Sequence, residues 1–221
     1  ERIYPEAEIV ELDLSLSMLA RARPETAWWK KAFSRKPLQV CGDIENLPLQ
    51  SSCADLVWSN LALQWCNDLD SSLSEMGRVL KPGGLFMFST FGPDTLKELR
   101  QSFGDTLAHV NRFIDMHDIG DALLHSGFST PVVDMEYITL TYGDVKGVMK
   151  DLKAIGAQNA LQGRPKGLFG KSAWNVVLEN YERMRVEGRL PATFEVVYGH
   201  AWKPEPSVLP DGSQIIRFSK K

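Results

Sequence analysis

The sequence predicts an α/β fold built on an open, mostly parallel β-sheet. Short apolar runs alternate along the chain with segments of helical periodicity, and polar residues follow several of those runs directly. The runs Leu38–Cys41 and Leu56–Ser59 stop at Gly42-Asp43 and at Asn60, which is typical of buried parallel strands entering loops. Because ligands of such sheets bind outside the carboxyl ends of the strands, we expect Asp43 and Asn60 to face one pocket.

The first strand and helix are predicted near the start of the chain. Residues 8–12 alternate like a strand that ends at Asp13, whose carboxylate is suited to accept hydrogen bonds from a ribose diol. A simple helix cap is the alternative role for Asp13. Ser15 is predicted to cap a helix that ends near Pro24. The residues expected to face the sheet are Met18, Leu19 and Ala22.

A second helix and strand follow Asn60. Apolar residues at helical spacing indicate the helix, and Pro82-Gly83-Gly84 is predicted to end it and turn the chain into the strand Leu85–Ser89. The apolar positions of this helix are Leu69, Leu73, Met76 and Leu80.

The second half of the chain closes the sheet. A helix is predicted over 115–126 with a stop at Gly127, and the alternating segments 132–140 and 193–202 are predicted to be the closing strands. The apolar face of that helix would carry Met116, Ile119, Leu123 and Leu124.

We interpret residues 1–221 as a single domain with two helical insertions, at about 91–114 and 143–189. The second insertion is longer than a simple connection, which favours a lid or a partner surface. The tail, 203–221, matches no element of this scheme.

Composition narrows the class of protein. A net charge of −3 gives no general attraction to nucleic acid or to an anionic membrane. No apolar run has the roughly 20 residues that span a bilayer, and the first residues lack the apolar core of a signal peptide. The cysteines at 41, 53 and 66 have no metal-like spacing and are expected to be reduced thiols in the cytoplasm. No metal site is predicted.

Several longer stretches carry a resemblance to one family. They are Ser59–Trp65, Ser89–Leu99, His109–Gly120, Asp151–Gly156 and Leu190–Tyr198. Together they resemble the malonyl-[acyl-carrier protein] O-methyltransferases of biotin synthesis, which are class I S-adenosylmethionine-dependent methyltransferases. The most specific stretches read Phe-Gly-Pro-Asp-Thr-Leu, from Phe91, and His-Val-Asn-Arg-Phe-Ile-Asp, from His109. The resemblance covers nearly the whole chain except the tail.

The resemblance implies a Rossmann-like, mostly parallel sheet with helices on both faces and an antiparallel last strand. Such enzymes open with a strand and a Gly-x-Gly loop, and no such segment precedes Glu1. That strand lies between the ones predicted at Glu8 and Ala54, so without it two inner edges are left unpaired. We therefore expect the natural chain to extend upstream and this chain to lack that strand and loop.

The resemblance also implies a cofactor, an acceptor and their binding residues. The cofactor is S-adenosyl-L-methionine, and the acceptor is the free carboxylate of a malonyl thioester, on acyl carrier protein or coenzyme A. The predicted cofactor-binding residues are Asp13 with Leu14 at the ribose, Asp43 with Ile44 at the adenine, and Asn60 with Leu61. The predicted acceptor-binding residues are Gln64, Trp65, Asn111, Arg112 and His117. Because the acceptor is already ionised at neutral pH, no catalytic base is expected.

Each of these residues has a structural alternative. Asp43 could form a turn, Asn60 could end its strand, and Trp65 could belong to the core. Arg112 could pair with Asp115 or Asp118, and the histidines 109 and 117 could be structural.

A set of basic residues on the second insertion is a candidate dock for an acidic carrier protein, or else a solvated helix face. The set consists of Lys146, Lys150, Lys153, Arg164, Lys166 and Lys171. Two other functions stay open on sequence alone: an arginine hydroxylase that assists assembly of respiratory complex I, and a non-catalytic module that binds the same cofactor.

Overall fold

A computed structural model of the chain describes residues 6–22, 37–103, 113–154 and 170–206. Within these ranges strands and helices alternate as predicted. The strands are β1 Val10–Asp13, β2 Leu38–Cys41, β3 Ala54–Asn60, β4 Leu80–Phe91, β5 Ser129–Tyr142 and β6 Leu190–Trp202. The helices are α1 Leu16–Ala22, α2 Leu69–Val79, α3 Lys97–Phe103, α4 Met116–His125, α5 Val145–Ala154 and α6 Lys171–Glu182. None of these helices is both long and apolar enough to cross a membrane.

The strands form two sheets. β1 pairs with β2 in parallel, and the other four strands lie in the order β3-β4-β6-β5. β3 and β4 are parallel, whereas β6 is antiparallel to both of its neighbours. The predicted parallel strands and antiparallel last strand are therefore confirmed. In the described part of the chain, β1 and β3 each lack a strand on one edge, and the two strands do not pair with each other.

Helix α2 ends earlier than predicted. Asp68 caps its start by accepting a hydrogen bond from Ser71 N at 3.1 Å. Leu80 is already extended and pairs with Ala54, so strand β4 begins before Pro82-Gly83-Gly84 rather than after it. The prediction was wrong here because the register shifts between Ala54 and Leu56, and this irregularity absorbs the Pro-Gly-Gly turn inside the strand.

The main core lies where one face of the larger sheet meets α2 and α4. Leu73, Phe86 and Leu123 are completely buried in it, and the Phe86 ring stacks on Phe88 with ring centroids 5.2 Å apart. Deleting such side chains is costly because the cavity left behind collapses only in part.

Several side chains predicted to be buried are exposed in the structure. On α1, Leu19 is buried while Met18 and Ala22 are exposed, because that short helix presents a single side chain to its neighbours. On α4, Leu124 is 54% exposed, since only Ile119 and Leu123 reach the core. Leu56 and Trp58 on β3 are 46% and 74% exposed, so the prediction of a buried strand is wrong at these two positions.

A second core joins the helices of the two insertions. Leu99 of α3, Val148 of α5 and Tyr181 of α6 pack against Leu190 and Ala192 at the start of β6. Burial raises the pKa of Tyr181, whose hydroxyl donates to the carbonyl of Pro191 at 2.9 Å. The insertions are thus fastened to the end of the sheet by their own apolar cluster.

An ion pair on α2 fastens the loop that follows β2. Glu75 accepts from Leu47 N at 2.8 Å and from Arg78 Nε at 2.6 Å. Arg78 in turn donates to the carbonyl oxygens of Leu47 and Leu49. The hydrogen bond from Arg78 lowers the pKa of Glu75.

Replacing Glu75 with glutamine should therefore lower the melting temperature at pH 7 by roughly 2–4 °C. The pKa of Glu75 is lower in the folded chain, so the unfolded chain takes up the proton first as the pH falls. The stabilisation is present above the ordinary pKa of 4.5 and is lost as the pH falls through the folded value. Thermal unfolding at pH 7 and near pH 4 tests this, with the exposed Asp55→Asn as a control. An equal difference from wild type at both pH values would contradict it.

Candidate functional site

Polar side chains gather at the carboxyl ends of the parallel strands. Asp13 ends β1 opposite Cys41, the last residue of β2, and Asp43 follows two residues later. Asn60 ends β3 opposite Ser89 of β4. These positions satisfy the geometric rule for ligand sites in α/β sheets.

Asp13 holds the turn into α1 with one carboxylate oxygen. Its Oδ1 accepts from Ser15 N at 2.7 Å, while Ser15 Oγ bonds to Ser17 Oγ rather than capping the helix. Oδ2 has no hydrogen-bond partner within the described ranges, so an acceptor remains for a ligand. The neighbouring Leu14 is 71% exposed. The cap and the binding role are therefore compatible in Asp13.

Asp43 forms the predicted turn. Its Oδ1 accepts from Glu45 N at 2.9 Å, and its carbonyl accepts from Asn46 N at 3.1 Å. Ile44 packs against the main core. Glu45 then reaches the start of α2, where its Oε1 accepts from Asn67 N at 2.5 Å. The turn fixes the Asp43 backbone and leaves its second carboxylate oxygen without a partner among the described residues.

The end of β3 is tied to β4 through Ser89. Ser89 Oγ donates to Asn60 Oδ1 at 2.6 Å, and Leu61 N donates to the carbonyl of Ser89 at 3.0 Å. Leu61 is held at a φ of 49°, a left-handed conformation that is unfavourable for a leucine. The amide nitrogen of Asn60 has no partner in the described part of the chain. Its amide donors are therefore unengaged among the described residues.

A pocket opens beside this strand end. Gln64 lies at its wall, donating to the carbonyl of Leu61 at 2.6 Å and accepting from Thr90 Oγ1 at 3.2 Å. The lining residues are Leu63, Gln64, Cys66, Asn67, Leu69, Thr90, Phe91, Phe113, Ile114 and Ile119. Apolar walls with a few convergent polar groups are typical of small-molecule sites.

One residue of the pocket wall, Cys66, is a free cysteine. Burial raises the pKa of the Cys66 thiol, and the carboxylates of Glu45 and Asp43 raise it further, against a hydrogen bond with Ser72. Neither Asp43 nor Asn60 is among the residues that line this pocket. The thiol stays protonated at neutral pH, which disfavours its use as a nucleophile.

Of the predicted acceptor-binding residues that the structure describes, only Gln64 lines the pocket. Gln64 lines the pocket, whereas Trp65 does not, and its 40% exposure also argues against the core alternative. His117 is exposed, and its backbone N donates to Asp115, which caps α4. His109, Asn111 and Arg112 lie outside the described residues, as do Arg164 and Lys166 of the predicted dock.

Of the ten residues that line the pocket, the sequence analysis predicted only Gln64 as a site residue and missed the other nine, among them Cys66, Thr90 and Phe91. Thr90 and Phe91 extend β4 beyond the predicted end at Ser89, and a strand that ends in polar Ser-Thr was a signal available in the sequence. Among the described residues, no three His, Cys, Asp or Glu side chains are placed to hold a metal ion.

Comparison with known proteins identifies the family. A family model described as "Methyltransferase domain" matches residues 1–88. A Malonyl-[acyl-carrier protein] O-methyltransferase of Gallionella capsiferriformans is 58% identical, with 99% of this chain and 76% of that protein covered. Proteins of the same name from Nitrosospira multiformis and Laribacter hongkongensis are 59% and 56% identical, with 92% and 97% of this chain and 70% and 75% of those proteins covered. The chain belongs to the malonyl-acyl carrier protein O-methyltransferase family.

Solved structures support the fold. The YcgJ protein of Bacillus subtilis is 12% identical, with a TM-score of 0.61 over 90% of this chain and 83% of that chain. The [4+2]-cyclase SpnF is 18% identical, with a TM-score of 0.54 over 93% and 71%. A cyclase among the neighbours illustrates that this fold hosts more than one chemistry.

The family makes this chain an S-adenosylmethionine-dependent O-methyltransferase. Its described residues fit that cofactor. The second carboxylate oxygens of Asp13 and Asp43 are acceptors without partners in the described ranges, and the amide of Asn60 supplies donors. All three stand at carboxyl ends of parallel strands, where a nucleoside with hydroxyl and amino donors is expected to bind.

Proposed function

We propose that this protein methylates the free carboxylate of a malonyl thioester carried by acyl carrier protein, an early step of biotin synthesis. The observation that carries the proposal is the shared name of the relatives that match nearly the whole chain at 50–59% identity. The product ester has lost the charge whose burial would be prohibitive in an apolar enzyme tunnel. The alternatives of an arginine hydroxylase and of a non-catalytic module have no comparable support.

The reaction needs orientation more than proton transfer. S-adenosylmethionine supplies a methyl group from its sulfonium. The acceptor carboxyl, with an ordinary pKa near ~4, is already ionised at neutral pH, so no base is required. We assign Asp13 with Leu14 to the ribose, Asp43 with Ile44 to the adenine, and Asn60 with Leu61 to the remainder of the cofactor site.

The acceptor is assigned to the pocket beside Asn60. Gln64 and Thr90 offer hydrogen-bonding groups there, and Phe91 and Phe113 form apolar walls. Arg112 directly precedes Phe113 in the chain, and an arginine fork is suited to a carboxylate. We assign Arg112 to the oxygen that does not attack, with Asn111, His117 and Trp65 as supporting candidates. Bringing the reacting atoms into line can supply several kcal/mol of the rate enhancement.

We propose that the chain is a single domain whose helical insertions, at 91–114 and 143–189, form a lid or a partner surface. We also propose that the protein acts in the cytoplasm. On α5, Lys146, Lys150 and Lys153 follow a spacing that places them on one side of the helix, and all three are exposed. No ion-pair partner for them occurs within the described ranges. Opposite them, Val145, Val148 and Leu152 enter the second core. An acidic carrier protein suits this basic face, and Arg164, Lys166 and Lys171 are candidates to extend it.

Changing Lys146, Lys150 and Lys153 together to glutamate should raise the KM for malonyl carrier protein by roughly tenfold at low salt, because charge complementarity mainly governs encounter. The effect should shrink at high salt as screening increases. Methylation of malonyl-pantetheine, which has no acidic protein surface, should be unchanged. Steady-state kinetics with both acceptors test this. The control is Lys81→Ala, at the start of β4, whereas the pocket lies at the end of that strand. An equal loss with both acceptors would refute the dock.

The function itself is tested with the full-length protein and donor labelled in its methyl group. Malonyl carrier protein, malonyl-coenzyme A and acetyl carrier protein are offered in separate reactions. Label should appear in a base-labile ester on malonyl carrier protein and be absent from the acetyl form, which has no free carboxylate. Label on malonyl-coenzyme A alone would reassign the acceptor, and label on neither malonyl thioester would refute the proposal.

A further inference from the structure

Two buried glutamates join strand β6 to the turn and helix α3 that follow β4. Glu195 on β6 is 4% exposed and Glu98 on α3 is 8% exposed. Glu195 Oε2 accepts from Asp94 N at 2.6 Å, and the Glu195 carbonyl accepts from Gly92 N at 2.9 Å. Glu98 accepts from Thr193 N at 3.0 Å. The turn and strand β6 are therefore joined by hydrogen bonds in both directions.

The absence of a side chain at Gly92 leaves room for the side chain of Glu195. A Cβ at Gly92 would lie 2.6 Å from Glu195 Oε1 and 2.8 Å from Glu195 Cγ, closer than real Cβ atoms approach other atoms. The glycine is thus required for the close approach of a carboxyl group rather than for a special backbone angle. Glu195 fills the space above Gly92 and fixes the backbone there.

The residue fixed by this arrangement is a wall of the pocket. Phe91 directly precedes Gly92 and lines the pocket with Phe113, their ring centroids 5.6 Å apart. Phe91 also contacts Phe194, the neighbour of Glu195, at 5.8 Å. Glu195 is therefore linked to Phe91 by two routes. One runs through Gly92, the chain neighbour of Phe91, and the other through Phe194, the chain neighbour of Glu195.

A buried carboxylate is costly unless its oxygens are hydrogen-bonded, and such charge-assisted bonds are about twice as strong as neutral ones. We propose that Glu195 is a positioning residue that, through Gly92 and Phe91, sets the length of the diacid thioester that the pocket accepts. This inference rests on the proposed function and adds to it a determinant of acyl-chain length.

The experiment compares malonyl with succinyl carrier protein, which differ by one methylene. A rigid pocket should discriminate against the extra methylene by roughly 10–200-fold in kcat/KM. Glu195→Ala should lose most of that discrimination while its affinity for S-adenosylmethionine, measured by calorimetry, stays unchanged. Glu195→Gln keeps an acceptor for Asp94 N and should retain most of the discrimination. The matched control is Glu136→Ala on β5, whose exposed carboxylate accepts from Tyr198 and does not touch the turn.

Gly92→Ala provides an independent second route, because its methyl group must displace the Glu195 carboxyl. Alone it should relax the discrimination as Glu195→Ala does. The double variant should lose no more of the discrimination than Glu195→Ala alone, because the effects of residues in contact are not additive. An equal fall of kcat/KM for both acyl chains, or wild-type discrimination in both single variants, would overturn the inference. Absence of methylation by the wild-type enzyme would instead refute the proposed function.

Discussion

Replacing Arg112 with alanine should abolish most methyl transfer to malonyl carrier protein while leaving S-adenosylmethionine affinity nearly intact. The lost contact belongs to the acceptor alone, and leaving a buried carboxylate unpaired typically costs ~3–5 kcal/mol, a loss of roughly 100-fold or more in kcat/KM. Steady-state kinetics and donor calorimetry on the same preparation measure the two effects separately.

Two further variants sharpen the Arg112 experiment. Arg112→Lys should rescue only part of the activity, because an ammonium does not reproduce the bidentate fork. Arg183→Ala removes an exposed arginine next to the end of α6 and should behave as wild type. Wild-type activity in a well-folded Arg112→Ala protein would exclude the carboxylate role and leave a bridge to Asp115 or Asp118.

Removing the Asp13 carboxylate should weaken S-adenosylmethionine binding by roughly 10- to 100-fold, since hydrogen bonds to a charged group contribute ~1.5–3 kcal/mol. Asp13 Oδ1 is engaged by Ser15 N, so the ligand contact is assigned to the other oxygen. Calorimetry on Asp13→Ala measures the loss directly. Acceptor KM at saturating donor should change little.

The Asp13 experiment separates binding from capping. Asp13→Asn keeps an acceptor oxygen for Ser15 N and should preserve the turn, yet it should still lose most of the charge-dependent affinity. The matched control is Asp55→Ala. Asp55 lies near the start of β3, at the other end of that strand from Asn60, and its exposed pair with Lys81 contributes little to stability. Unchanged donor affinity in Asp13→Ala would mean that this residue is only a cap.

The ends of β2 and β3 could be predicted because the signal is local. A change from apolar to polar residues marks the point at which a chain leaves the core, as at Cys41-Gly42-Asp43 and at Asn60. Register depends on both strands at once. The early start of β4 at Leu80 follows from the irregular pairing between Ala54 and Leu56, which no local pattern encodes.

The sequence by itself determined the α/β class and the polar residues at the strand ends, because each depends on residues close together in the chain. The antiparallel last strand was expected only from the resemblance to the methyltransferase family, since strand pairing joins distant residues. Only the tertiary structure decided that Thr90, Phe91 and Cys66 share a pocket with Gln64, and that Glu195 is buried against Gly92. Such contacts join residues far apart in the chain, and the packing of β4 against β6 selects them.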